Sequence, residues 1–448
     1  MTTQTQPARR TTYRSVFAAG QFRVLFAAFT MYVLGFEFEI LGLSVLVFTQ
    51  TRSATLAALA FGIGFAPQAV GGALLTSLAD RLPPRAVIGT GLLTRAVPGL
   101  VIGLWPGLPV AAMLALVAVA ALVAPVFTAA TSSLLPDVLD GDRYVLGRSV
   151  FNLMGSGTQI LGLGIGGALL AIVPARWLLL AAGISLTLGA AVIRLGLRPH
   201  EAREPYEARE PHAARGGRPG VIGATLSGHV RLFADPVVRG LLLAQWLPAW
   251  FATGAESLIV PYTASLGHPA SAAGPLLAAV PAGMVLGEVL IGRFCPPAQR
   301  RRLAFPLVAA MGIPLLAFFC RPSLPLAGLA LLVVGLGFAY QLGIQQAFLD
   351  SLPEQRRGQA FGLNSTGAMG GQGLIPPAAG ALAAVLGAGP AMAIAGVATV
   401  LAALALHRPL TGARLLANPF VLSFRTGRLR ASRPLRRDQP WPPRYPAR

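Results

Sequence analysis

Long uninterrupted apolar runs dominate the pattern of this chain. Residues 111–130, 150–173 and 324–348 contain no charged residue. A helix that crosses a bilayer needs roughly 20 such residues, and a soluble domain does not hide many of these runs in series. The pattern therefore predicts an all-α membrane protein with twelve transmembrane helices, over residues 25–48, 54–78, 86–104, 110–130, 150–173, 177–197, 237–261, 272–291, 303–319, 324–348, 359–386 and 391–406.

An internal repeat divides these spans into two sets of six. The motif Leu135-Pro136-Asp137, followed by a glycine and then Asn152, recurs as Leu352-Pro353-Glu354, followed by a glycine and then Asn364. Internal repeats in helical membrane proteins are typical of transporters, with the site between the halves. The predicted organisation is an N-terminus over 1–20, a six-helix bundle over 21–197, a linker over 198–236, a second, pseudo-symmetric six-helix bundle over 237–408, and a tail over 409–448. The polar composition predicts a slack, solvated linker and a disordered tail.

Basic residues lie almost entirely on one predicted side of the membrane. The chain has no lysine, and all 36 basic residues are arginines. Only Arg52, Arg176 and Arg321 fall in the opposite loops, and only Arg95 falls at the middle of a span. Cytoplasmic loops retain positive charge, so both termini and the linker are predicted to be cytoplasmic. The net charge of +20 is then explained by anionic lipid headgroups rather than by nucleic acid.

Residue usage excludes several kinds of active site. Without lysine there is neither a nucleotide-binding P-loop nor a Schiff-base nucleophile. The five histidines lie in loops or at span ends, and two cysteines make no disulfide framework, so we expect no enzyme activity, no metal and no cofactor. Abundant Ala, Gly, Arg and Pro without lysine is typical of a GC-rich bacterial genome, which points to the bacterial inner membrane.

Glycines in the fifth span spell a false nucleotide motif. Residues 162–167 read G-x-G-x-x-G, which in dinucleotide-binding proteins follows a strand and opens a helix. Here the run lies inside a membrane span, where small residues let helices approach closely. We therefore expect these glycines to serve helix packing.

Three ionisable residues lie at the middle of the predicted membrane. Glu37 and Glu39 belong to the first span and Arg95 to the third. Such groups are costly there and call for a functional reason, although both glutamates could also serve only packing hydrogen bonds. Residues two positions apart on an α-helix point in directions roughly 200° apart, so the two glutamates cannot share one face. We therefore expect one of them to pair with Arg95 and the other to bind a proton. Glu39, flanked by Gly35 and Gly42, is favoured as the proton carrier, and Glu37 as the partner of Arg95.

The segment between the second and third spans resembles the signature of the major facilitator superfamily. It reads Leu78-Ala79-Asp80-Arg81-Leu82-Pro83-Pro84-Arg85, in which Asp80, Arg81 and Arg85 match the acidic and basic positions of that motif. The leading glycine of the motif is Thr76 here, and its later Gly-Arg is Pro83-Pro84. The fourth-span arginine and the fifth-span proline of the best-studied drug/proton antiporters are absent, whereas Leu135-Pro136-Asp137 is similar to the macrolide-efflux and siderophore-exporter branch.

This resemblance implies which residues line the substrate cavity and which form the cytoplasmic gate. The family lines its central cavity with spans one, four, seven and ten, which makes Gln245, Glu256 and Gln341 candidates for the substrate cavity, with Glu256 a second candidate for proton binding. Asp80, Arg81 and Arg85 would form a cytoplasmic gate. Asp80 would face the start of the eleventh span, where a helix N-terminus favours a carboxylate.

The predicted function is alternating-access transport by a monomer. We expect proton-coupled export of a small molecule, a drug or natural product, in the manner of an antiporter. Proton-coupled uptake is the alternative within transport. A membrane sensor or scaffold is the alternative of another class, but it has no need of glutamates and an arginine in mid-membrane.

Overall fold

The computed structural model describes residues 12–79, 83–140, 142–198, 221–352 and 356–411. Those residues are almost entirely helical and contain no strand. The α-helices are α1 Tyr13–Phe17, α2 Gly20–Thr51, α3 Ala54–Gly62, α4 Phe65–Ala79, α5 Pro84–Leu104, α6 Val110–Val138, α7 Asp142–Leu169, α8 Ala175–Gly196, α9 Val221–Ala234, α10 Pro236–Glu256, α11 Ile259–Ser265, α12 Ala273–Phe294, α13 Pro297–Gly312, α14 Leu324–Gly337, α15 Tyr340–Asp350, α16 Arg357–Leu386, α17 Ala388–Ala405 and α18 His407–Thr411.

Every predicted span has a helical counterpart. Ten helical segments of the described chain are long and apolar enough to cross a membrane. The two remaining spans are the fifth, which is α7, and the seventh, which is α10 with α11. The twelve-helix prediction is confirmed, and the even number of spans places both ends of the described chain on one side. We call that side the terminal side and the opposite one the far side.

Four spans are broken, which the apolar pattern did not predict. The second span is α3 with α4, the seventh α10 with α11, the tenth α14 with α15, and the ninth is α13 followed by a 3₁₀ helix over Ile313–Cys320. In the second span, Gly62 is the last residue of α3 and Gly64 lies in the break. In the tenth span, Gly335 and Gly337 lie at the end of α14, just before the break. Glycine weakens a helix interior, and irregular backbone at membrane depth is typical of the sites of transporters.

Two pairs of spans make the largest contacts between the two halves. Helix α16, the eleventh span, packs against α3 and α4 of the second, and α7 of the fifth packs against α12 of the eighth. At the second contact a Cβ atom added to Gly167 would lie 2.7 Å from the Cα atom of Gly274, so only glycine permits this approach. The packing role predicted for the fifth-span glycines is confirmed at this position.

The space between the halves is closed on the far side. Helix α2 is an interior helix, contacted by α3, α6, α7, α8 and α11. All of its residues from 37 to 47 are buried, whereas most of those from 20 to 36 are at least partly exposed. The far-side part of the seventh span is buried in the same way: residues 252–263 are buried, except for the partly exposed Glu256. The space between the halves is therefore more accessible from the terminal side than from the far side.

The linker is more ordered than its composition predicted. Residues 199–220 lie outside the described chain, but α9 occupies the rest and packs against α10 and α16. Leu232 is buried in this contact, and Phe233 stacks on Trp246 with ring centroids 6.0 Å apart. The prediction of a slack tether was wrong for residues 221–234, which form a helix whose Leu232 and Phe233 side chains pack against the C-terminal bundle.

Candidate functional site

A buried ion pair joins the first span to the third. Arg95 Nη2 donates a hydrogen bond of 2.9 Å to Glu39 Oε1, and Arg95 and Glu39 are 1% and 2% exposed. The prediction that one glutamate pairs with Arg95 is confirmed. The choice of partner was wrong: Arg95 pairs with Glu39, not with Glu37.

The glycines beside Glu39 explain the error. A Cβ atom at Gly35 would lie 2.9 Å from Leu186 Cγ, and one at Gly42 would lie 3.1 Å from Leu179 Cγ. These glycines therefore let α8 approach α2 closely and do not leave room for a ligand. Glu39 lies on this packed face, inside the N-terminal bundle, where Arg95 is the available countercharge.

The ion pair is incompletely satisfied. Glu39 Oε2 and Arg95 Nε and Nη1 are buried without a hydrogen-bond partner. The Arg95 guanidinium carbon lies 5.5 Å from the centroid of the Phe36 ring, a cation–π distance that offsets part of the missing solvation. Removing one member of such a buried pair costs about 3–5 kcal/mol, because the other charge is left uncompensated.

Glu37 faces a different neighbour. It is 4% exposed and packs against the fifth span, where a Cβ atom at Gly162 would lie 3.1 Å from Glu37 Cβ. The side chain of Gln159, one turn earlier in α7, lies close to the Glu37 carboxyl group. Sequence reasoning missed Gln159, although a glutamine in the middle of an apolar span was a signal. Within the described chain Glu37 forms no ion pair.

Glu256 of the C-terminal half lies near Glu37. It is the last residue of α10, at the break of the seventh span, and its charge interacts with that of Glu37. Two carboxyl groups from opposite halves thus lie near each other, where the closed far-side region begins. Neither has a basic partner among the described residues, so their charges repel each other when both are ionised.

The two candidate glutamines lie apart from this carboxyl pair. Gln245 Oε1 accepts a hydrogen bond of 3.1 Å from Asn364 Nδ2, and its backbone carbonyl accepts one of 2.9 Å from the Tyr340 hydroxyl. Gln245 thereby ties the seventh span to the tenth and the eleventh. Gln341 is exposed on α15. Substrate contact by Gln245, Glu256 and Gln341 stays a prediction.

The predicted gate is only partly described. Asp80 and Arg81 lie outside the described residues. The Arg85 guanidinium donates to the backbone carbonyl of Arg194, which links the start of the third span to the end of the sixth on the terminal side. The gating role of these three residues stays a prediction.

Solved transporter structures share this fold. A mutant of the nucleoside transporter NupG superposes with a TM-score of 0.68 at 12% identity, covering 87% of this chain and 99% of that one. A mutant of the peptide transporter POT gives 0.64 at 16% identity, covering 86% and 93%. A bacterial homolog of the human lysosomal transporter Spinster, inward-facing and occupied, gives 0.60 at 16% identity, covering 90% and 96%. At these identities the likeness establishes the fold alone.

Family membership follows from the sequence itself. No curated protein matches the chain in a sequence comparison. The family model of the Major Facilitator Superfamily matches residues 16–352 and 299–440, which together cover most of the chain. The chain therefore belongs to the Major Facilitator Superfamily, and it is a multi-pass membrane transport protein rather than an enzyme.

Proposed function

We propose that this protein is a proton-coupled secondary transporter that works by alternating access and exports a small molecule, with Glu37 as the proton-binding residue. The observation that supports it is the position of Glu37. Its carboxyl group is buried at mid-membrane, has no basic partner among the described residues, and lies near Glu256 of the other half.

Closure of the far side supplies the coupling. A buried carboxyl group without a countercharge is costly to ionise, and two neighbouring carboxylates repel each other. With the far side closed, Glu37 and Glu256 hold at least one proton between them. When the halves separate on the far side, both carboxyl groups gain water and exchange that proton with the outer solution. Far-side opening and protonation are thereby linked.

The Glu39–Arg95 pair has a different part in this scheme. Its charges already compensate each other, so it has no need of a proton. It fixes α2 to α5 and lets the N-terminal half move as one body. In this proposal Glu37 therefore replaces Glu39, which the sequence favoured as the proton carrier. Glu256 remains the second candidate for proton binding.

The arginine distribution supports an orientation with both termini in the cytoplasm of a bacterial cell. Cys295, at the end of α12, then lies at the cytoplasmic surface, and Cys320 lies at the outer one. An impermeant maleimide added to intact spheroplasts should label Cys320 and spare Cys295. The reverse labelling would overturn the orientation.

The proposed direction of transport is supported by the resemblance of Leu135-Pro136-Asp137 to exporters, and proton-coupled uptake is the alternative. A deletion strain is screened for susceptibility to, and accumulation of, a panel of antibiotics and dyes, with and without a protonophore. Export predicts higher accumulation in the deletion strain, whereas uptake predicts lower accumulation.

The proton site is tested with a compound from that screen. In proteoliposomes, Glu37→Gln should abolish transport driven by a pH gradient and retain counterflow exchange, which needs no net proton movement. Glu288→Gln is the matched control, because it makes the same change at an exposed position of α12. Gradient-driven transport by Glu37→Gln at the rate of the control would show that Glu37 is not the proton carrier.

A further inference from the structure

A groove opens at the terminal side between the start of the seventh span and the end of the twelfth. It has a volume of about 660 Å³ and is formed by the first turns of α10 and by the junction of α17 with α18. It lies in the C-terminal half, at the terminal side of the membrane, whereas Glu37 and Glu256 lie deeper in the membrane. It has no part in the mechanism proposed above.

The groove combines a basic rim with an apolar wall. Arg239 and Arg408 are exposed on the rim and form no ion pair with any described residue. His407 joins them, with its ring packed edge-on against Phe305 at a centroid distance of 5.0 Å. The wall includes Leu243 and Leu404, the latter 58% exposed. Positive charge next to apolar surface at the end of membrane spans matches a lipid with an anionic headgroup.

The corresponding place in the N-terminal half is built differently. There the start of α2 and the chain after α8 enclose only about 350 Å³. Gln21 closes this space, because its Nε2 donates to the Gly196 carbonyl at 3.2 Å and its Oε1 accepts from the Arg198 backbone at 2.8 Å. Its lining carries one acidic residue, Asp137, beside one basic residue, Arg198, whereas the C-terminal groove has only basic charges. The C-terminal groove is therefore not a general consequence of the repeat.

We propose that the C-terminal groove is a binding site for one anionic phospholipid. The phosphate lies between Arg239 and Arg408, and an acyl chain follows Leu404 and Leu243 toward the membrane interior. The chain's own tail is a poor occupant, because residues 412–448 carry nine arginines and one acidic residue and would be repelled by the rim. A bound lipid would tie the start of the seventh span to the end of the twelfth.

Native mass spectrometry of the full chain tests this site. The detergent-purified protein is mixed with phosphatidylglycerol, with phosphatidylcholine, or with inorganic phosphate. The variant Arg239→Gln/Arg408→Gln is compared with Arg301→Gln/Arg302→Gln, which removes the same charge from the same side outside the groove. Thermal unfolding without added lipid verifies that both variants fold.

We expect one retained phosphatidylglycerol in the wild type and in the control variant, and at least a five-fold lower occupancy in the groove variant. Phosphatidylcholine and inorganic phosphate should not be retained. Equal phosphatidylglycerol occupancy in the two variants would overturn the proposal in favour of general electrostatic attraction. Equal retention of phosphatidylcholine would show that the rim charge has no role, and retention of inorganic phosphate would show a simple anion site.

Discussion

Glu37 and Glu39 are the same residue type, two positions apart on one helix, in two unlike surroundings. Glu39 is enclosed within the N-terminal bundle and paired with Arg95, whereas Glu37 packs against α7 of the same half and lies near Glu256 of the other half. Both are buried to nearly the same extent. Burial alone therefore does not distinguish the two carboxylates, whereas the presence or absence of a countercharge does.

The seventh span, the counterpart of the first, sharpens this comparison. Glu256 has no basic partner among the described residues, and its helix ends immediately after it. The C-terminal half thus carries a carboxyl group without the stabilising arginine that the N-terminal half provides. The first span, with its charge pair, is one continuous helix, while the seventh is broken where its carboxyl group meets the other half.

Loss of the Glu39 charge should give the largest effect on stability. Glu39→Gln leaves Arg95 buried without a countercharge, and we expect a loss of about 3–5 kcal/mol together with poor expression. Fluorescence-detected size-exclusion chromatography measures both the yield and the thermal stability. Adding Arg95→Gln should restore most of the loss, because a neutral pair replaces the isolated charge. A stable Glu39→Gln single variant would show that the pair is not needed for folding.

Tighter packing on the Glu39 face should give the second largest loss of stability. Gly35→Ala places a methyl group against Leu186 and the backbone carbonyl of Ala182, and overpacking of this kind costs about 1–3 kcal/mol. Gly164→Ala is the control, since a methyl group there meets no atom within 4 Å. We expect a lower unfolding temperature for the first variant only. Equal temperatures would argue that α2 and α8 are less closely packed than described.

The aromatic contact to Arg95 should contribute less. Phe36→Leu keeps the apolar volume approximately and removes the ring beneath the guanidinium, a loss of about 0.5–2 kcal/mol. The same chromatographic assay compares it with Phe36→Tyr, which retains a ring. A cation–π contribution is contradicted if the leucine and tyrosine variants unfold at the same temperature.

Glu37→Gln should give the smallest effect on stability, although the proposed function predicts that it abolishes proton-driven transport. The amide fits the same space, and no buried charge is left unpaired, so we expect a change within about 0.5 kcal/mol. Comparing its unfolding temperature with that of Glu39→Gln gives the most direct measure of the difference between the two carboxylates. A stability loss as large as that of Glu39→Gln would mean that Glu37 also has a structural partner.

Part of this arrangement was predictable because it depends on local pattern. Apolar runs of sufficient length specify the twelve spans, because the backbone must satisfy its hydrogen bonds within a helix when it crosses the bilayer. The repeat specified the two halves, and the position of Glu37, Glu39 and Arg95 at mid-span indicated that one ion pair would form. The packing role of the glycine run, too, followed from its place inside a span.

The pairing itself was decided by the tertiary structure. The sequence placed Glu37 and Glu39 on opposite faces of the first helix, but it contained no information on which face turns toward Arg95. From the sequence, the glycines at 35 and 42 could equally have bordered a cavity or a neighbouring helix. The structure shows that they border a helix, because α8 packs closely against them. The proximity of Glu37 to Gln159 and Glu256, and the groove at Arg239 and Arg408, likewise join residues remote in sequence. Helix-length patterns fix elements one at a time, whereas countercharges and cavities exist only where elements from different parts of the chain meet.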